Sequence, residues 1–232
     1  MKSISKSTAG VLLALACGAA SAVPVNLVTN GSFESGLSGW TIGGTDAQNF
    51  PPVAIFYGSG TPYPTGAFGE AIPQNNAATN SPDAVGDRAA YFVSDLATNQ
   101  SLSQWITVTD AGIYQIGFSA YAPANGYANI YDATFTGIIA TVQLANYAVS
   151  TEIAKTWKTF AGAANLAADD YLVEFVFNTG GAPAKDVVID QVYVIAGNPS
   201  VEVPEPGSLA LLGLGLAGLA AASRRKQKEK QA

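Results

Sequence analysis

"GIYQIGFSAY", residues 112–121, carries the pattern that decides the fold. Tyr114, Ile116, Phe118 and Ala120 fall on one side of an extended chain, and Gln115, Gly117 and Ser119 on the other. A period of two, filled by aromatic and β-branched residues, marks a half-buried antiparallel strand; a helix would repeat its apolar positions every three or four residues. Working outward, "YLVEFVFN" (171–178) repeats the pattern, with Tyr171, Val173, Phe175 and Phe177 opposite Leu172, Glu174, Val176 and Asn178. "SLSQWITV" (101–108) and "DVVIDQVYVI" (186–195) are rich in strand formers, with apolar residues on both faces. Further strand candidates are "VAIFY" (53–57), "RAAYFV" (88–93), "ANIYDATF" (128–135), "IIATVQLA" (138–145) and "TWKTFAG" (156–162). Asp110-Ala111-Gly112 and Asn125-Gly126 supply tight turns. The Gly-, Pro- and Asn-rich stretch 58–87 reads as a long loop with one short strand around Ala71. Many short strands and no helical segment predict an all-β antiparallel sandwich.

Both ends differ from this body. Lys2 and Lys6 precede an apolar run that reaches Ala20-Ser21-Ala22, a small-x-small cleavage site marked by Ala20 and Ala22, so residues 1–22 read as a signal peptide that is removed. Cys17, the only cysteine, lies inside that leader. Residues 23–198 form the β domain, and 199–206 a Pro- and Glu-bearing extended linker. The apolar run 207–223 is long enough, at ~1.5 Å per residue, to approach the ~30 Å of a bilayer core as one transmembrane helix. Arg224, Arg225 and Lys226 with the lysines beyond them hold the C-terminus on the cytoplasmic side, where the leader's lysines hold the N-terminus.

Charge and composition exclude several function classes. The whole chain carries a net charge of −6, but between residues 23 and 203 there are four basic and fifteen acidic side chains. Such a surface repels phosphate backbones, which argues against nucleic acid. The predicted mature chain has no thiol nucleophile. There is no histidine at all, which removes the usual triad base and the commonest zinc ligand. An enzyme would have to use carboxylates, and neither Asp83 with Asp87 nor Asp169-Asp170 forms a convincing glycosidase pair. Asp169-Asp170 reads as a turn before "YLVEF".

Val203-Pro204-Glu205-Pro206, the apolar helix and "SRRK", in that order, resemble the PEP-CTERM sorting signal of Gram-negative bacteria. From Pro204 the resemblance covers the last 29 residues. It implies an inner-membrane precursor that exosortase, a membrane protease-transpeptidase, recognises and cuts near the Pro-Glu-Pro motif. It also implies export to the cell surface or extracellular matrix, in bacteria that make exopolysaccharide and biofilm.

A second resemblance runs through the body. "NLVTNGSFESGLSGWTIGG" (26–44) looks like the first strand and loop of jelly-roll carbohydrate-binding and galactose-binding-like modules, and "DVVIDQVYVI" like their final strand. These modules hold a structural calcium where that loop meets that strand. On the matching positions Glu34 and Asp190 would supply carboxylates, with backbone carbonyls completing the shell. A glycan ligand would need exposed rings, for which Phe56, Tyr57, Tyr63, Tyr121, Tyr127 and Tyr131 are candidates, the last three foremost. Trp40, Trp105 and Trp157 lie in strand contexts and are expected in the core.

The reading is therefore a jelly-roll β-sandwich exported as a non-catalytic cell-surface or matrix protein, associated with exopolysaccharide. A specific glycan-binding module is the alternative, and a carboxylate-based glycan hydrolase the third.

Overall fold

The computed structural model describes residues 24–46, 51–57, 73, 74, 77, 79–92, 97–123, 133–180 and 185–197. Ala20, Ala22, the region around Ala71, the Asn125-Gly126 turn, Tyr127, Tyr131 and the whole sorting signal lie outside them. Among the described residues no helix is long and apolar enough to cross a membrane.

The described residues hold ten strands in order: β1 (Thr41–Asp46), β2 (Val53–Phe56), β3 (Arg88–Phe92), β4 (Ala97–Val108), β5 (Gly112–Tyr121), β6 (Thr134–Ile139), β7 (Val142–Ala148), β8 (Trp157–Leu166), β9 (Asp169–Asn178) and β10 (Val187–Ala196). A 3-10 turn, Val149–Thr151, lies between β7 and β8. The strands form two five-stranded antiparallel sheets, β1-β4-β9-β6-β7 and β2-β3-β10-β5-β8. Only β2–β3 and β6–β7 join neighbours within one sheet; the other connections carry the chain across to the opposite sheet. That winding makes the sandwich a jelly roll.

The quoted patterns set the registers. "YLVEFVFN" lies on β9, which pairs with β4 from Gln100↔Phe177 to Val108↔Asp169. "GIYQIGFSAY" is β5, paired residue for residue with β8 from Gly112↔Leu166 to Tyr121↔Trp157. Their alternate side chains meet between the sheets. Phe118 stands 4.9 Å from Phe175, edge-on, and 5.0 Å from Phe160, stacked. Phe135 packs 5.6 Å from Phe92. Burying each such ring stabilises the fold by about 1.5–3 kcal/mol.

Three local expectations change. Residues 26–40 are a run of turns rather than a first strand, touching β10 through one isolated bridge, Asn26↔Ile195. Left-handed backbone at Asn30, Phe33, Gly36 and Gly39 breaks any strand there. Asp169-Asp170 open β9 instead of forming a turn, because the register with β4 places Asp170 opposite Thr107, whose hydroxyl donates to it (2.6 Å). Finally, the second sheet is not half-buried at one end. Beneath its outer side Ile55, Ala89, Tyr91, Tyr121 and Val188 form a separate apolar cluster, with Val53, Tyr57 and Trp157 against it.

Candidate functional site

Glu34 and Asp190, 156 positions apart in sequence, converge on the outer side of the second sheet. The turn-rich loop delivers Glu34, whose Oε1 accepts the Arg88 N–H (3.0 Å). Its carboxylate lies directly on Gly86, where any Cβ would overlap the carboxyl carbon. Asp190 projects from β10 and is 1% exposed. Its Oδ2 accepts the Tyr57 hydroxyl, and its Oδ1 the Gln191 N–H (2.6 Å). Burial pushes this carboxyl up to about 7 against the pull of those two donors, and the negative charge of Glu34 adds to the rise. The Tyr57 phenol is pushed up as well, by burial and by the Asp190 carboxylate.

A bulge explains the convergence. The β10–β5 register slips between Asp190 and Tyr193, and Gln191 takes left-handed backbone (φ 55°). Gln191 is fully buried; its carboxamide lies close enough to Asp190 to favour the ionised carboxylate, and its Oε1 has no hydrogen-bond partner among the described residues. A buried amide oxygen next to Asp190, with the Glu34 charge acting on the same carboxyl, is the donor chemistry a hard, oxygen-preferring cation takes. Among the described residues no group of three or more His, Cys, Asp or Glu side chains could hold a metal, so two carboxylates are all the acidic ligands on offer here.

Of the foremost ring candidates only Tyr121 is described. It is 5% exposed and packs against Trp157 (5.4 Å), so it supports the outer apolar cluster and offers no free face to a ligand. Tyr57 likewise packs edge-on against Trp157, at 5.9 Å. Phe56 is partly exposed but lies beneath the Arg88 guanidinium, 3.9 Å from its ring centre.

The tryptophan expectation holds for Trp40, which is buried 5.3 Å from Phe33. Trp157 is half-buried on the outer cluster. Trp105 is not in the core at all: it is 68% exposed in the middle of β4. Leu102, Gln104, Ile106 and Val108 point inward, so Ser101, Ser103, Trp105 and Thr107 form the outward row. That parity was available in the sequence, where Trp105 is the one apolar residue in a row of hydroxyls.

Around it the outer face of the first sheet forms a platform. Leu172 lies opposite Trp105, with Asp170 and Glu174 two positions to either side on β9. Glu174 faces Ser103 on one side and Ile138 of β6 on the other, and Thr136 follows along β6. Five strands at ~4.8 Å spacing make this face about 20 Å wide. It presents one large ring flanked by small apolar groups, hydroxyls and carboxylates.

A family model described as the PEP-CTERM protein-sorting motif matches residues 202–226. No curated protein matches the chain. Solved structures similar to it include TmCBM61 in complex with beta-1,4-galactotriose, which is 16% identical over 75% of this chain and 99% of that one, with a TM-score of 0.45. The enzymatically active domain of tailspike protein 4 of bacteriophage CBA120 is also 16% identical, over 73% of this chain and 21% of that one, with a TM-score of 0.45. The K1 cleaved adhesin domain of Lys-gingipain from Porphyromonas gingivalis is 12% identical, over 72% and 96%, with a TM-score of 0.41.

Proposed function

We propose that this chain is exported through its C-terminal sorting signal and binds glycan, without cleaving it, on the outer face of the first sheet. The observation that carries the binding site is Trp105: an indole 68% exposed at mid-strand, on a flat face of hydroxyls and carboxylates. With Leu172 opposite it and Ile138 beyond on the same face, the ring is part of an apolar patch rimmed by polar groups, the kind of surface that meets a partner. The apolar side of a pyranose can stack on that ring while Ser103, Thr107, Asp170 and Glu174 serve its hydroxyls. The width of the face suits an oligosaccharide lying across the strands. The match at residues 202–226 supports exosortase processing of an inner-membrane precursor and display at the cell surface or in an exopolysaccharide matrix.

The non-catalytic reading rests on the same geometry. Asp170 is held by the Thr107 hydroxyl, and Glu174 sits on an open, solvated face with no enclosing walls to shield an acid–base pair. Glu34 and Asp190 belong elsewhere. With Gln191 Oε1 they would hold a calcium ion, whose charge would tie the opening loop to β10 in a purely structural role.

Affinity electrophoresis in gels containing β-glucan, galactan or xylan tests the site. The full-length protein in detergent should be retarded by at least one of these polymers, and Trp105→Ala should weaken that binding by about tenfold or more, equivalent to ~1.4 kcal/mol. Equal retardation of the two proteins, or release of reducing sugar by either, defeats the reading.

A further inference from the structure

A separate cleft opens at the edge where β7 and β8 bring the two sheets together. It encloses about 240 Å³ and is lined by Ala120, Ala122, Tyr147, Glu152, Ile153 and Lys158, among others. The loop at its mouth is anchored. Lys185 Nζ donates to the carbonyls of Ser150 (3.1 Å) and Glu152 (3.3 Å), and the Lys155 N–H donates to Ala122 O (2.9 Å). Lys155 accepts left-handed backbone (φ 59°) to close the bend. A loop held this firmly is pre-organised, so little ordering cost falls on a ligand.

The lining is chemically mixed. Ala120, Ala122 and Ile153 supply apolar surface, and Ile153 is left 76% exposed at the rim. Lys158 Nζ bridges to Glu152 Oε1 (3.0 Å) and stands 4.9 Å over the Phe160 ring and 5.5 Å over that of Tyr147. Tyr147 and Phe160 stack 5.5 Å apart and nearly parallel, which fixes the phenol. Tyr147 lines the cleft beside this ion pair. Burial first and the Glu152 carboxylate second hold that phenol protonated, with its pKa pushed up.

We propose that this cleft takes the terminal residue of a glycan chain, a single neutral pyranose entering end-on. Its volume falls below the ~300–1,000 Å³ of sites that enclose larger ligands, and one sugar ring fills it. The Lys158–Glu152 pair is balanced in charge, so it favours neither an anionic nor a cationic sugar. The ammonium donates to ring hydroxyls, the carboxylate accepts from them, and the Tyr147 hydroxyl can do either. Ile153 and the two alanines meet the C–H face of the ring. The cleft goes beyond the Trp105 face: a chain lying across the first sheet and a chain end seated at the β7–β8 edge are different contacts.

Saturation-transfer NMR separates them, with cellotriose and β-1,4-galactotriose as probes of the full-length protein in detergent. At about 10 mM sugar a site with a millimolar Kd is filled. In the Trp105→Ala protein, saturation should reach one terminal ring of a probe and spare the middle ring. Tyr147→Phe keeps the ring that packs on Phe135 and Phe160 and removes only the hydroxyl; it should cut the terminal-ring signal by about fivefold or more and leave the melting temperature nearly unchanged. The inference is overturned if Trp105→Ala abolishes all transfer, if Tyr147→Phe leaves the terminal-ring signal intact, or if neither probe shows a terminal-ring signal. Loss on Tyr147→Phe with no effect of Trp105→Ala would keep the cleft and discard the face.

Discussion

Asp186 shows what a single misfit residue costs. It is fully buried, its Oδ2 accepts the Tyr91 hydroxyl (2.9 Å), and its Oδ1 has no partner among the described residues. Burial holds its carboxyl well above the ordinary carboxylate range. The neutral acid is therefore the form the fold tolerates. The stability it contributes is complete below the unfolded value near 4 and is lost as pH rises through the higher folded value. Asp186→Asn, which cannot ionise, should raise the melting temperature at pH 8, with a gain on the order of 1–3 kcal/mol. The gap should close towards pH 4, and calorimetry across that range reads it; a gap of constant size would contradict the assignment. Nothing in "DVVIDQVYVI" announces this burial, since its β10 register places Asp186 and Asp190 on a face expected to be wet. Trp105 is the opposite case. Its outward direction follows from strand parity, and the expectation that all three tryptophans fill the core missed it by weighting residue type above position.

At the scale of elements, β10 and the opening loop depend on each other. Gly31 lies against the bulge: Val192 N donates to Gly31 O (2.9 Å), and a Cβ on Gly31 would overlap Val192 O. Asn26 ties the same junction, accepting the Val194 N–H (2.9 Å) and donating to Val192 O (2.9 Å) and Asp83 Oδ2 (2.8 Å). Gly31→Ala must push this backbone contact apart, and should destabilise the protein by about 2–3 kcal/mol, the scale of an overpacked core position. Urea denaturation measures it, and a loss below ~0.5 kcal/mol would show that the loop yields freely. The sequence marks Asn30-Gly31 as a turn but cannot show what the turn approaches, because its partner lies about 160 residues further along.

The whole molecule is a sandwich whose first loop and last strand are joined by side chains from opposite ends of the domain. Calcium held by Glu34 and Asp190 would bind the folded chain alone, so a concentration near 100 Kd should add about 2.7 kcal/mol. For a domain of this size that is a rise in melting temperature of about 5–10 °C, at ~2–4 °C per kcal/mol. Differential scanning calorimetry with calcium and with chelator reads the shift, and Glu34→Gln should remove it. Identical melting in both buffers would leave the pair as a hydrogen-bonded joint and no more. By itself the sequence determined most of the strands, the sandwich and the sorting tail, because alternation, turn residues and apolar runs are written in neighbouring positions. Only the tertiary structure decided that Asp190 is buried against Tyr57, that Gln191 is buried in a bulge, and that β7 and β8 meet around a cleft. Those facts arise where distant segments exclude water together, and no local pattern encodes which segments will meet.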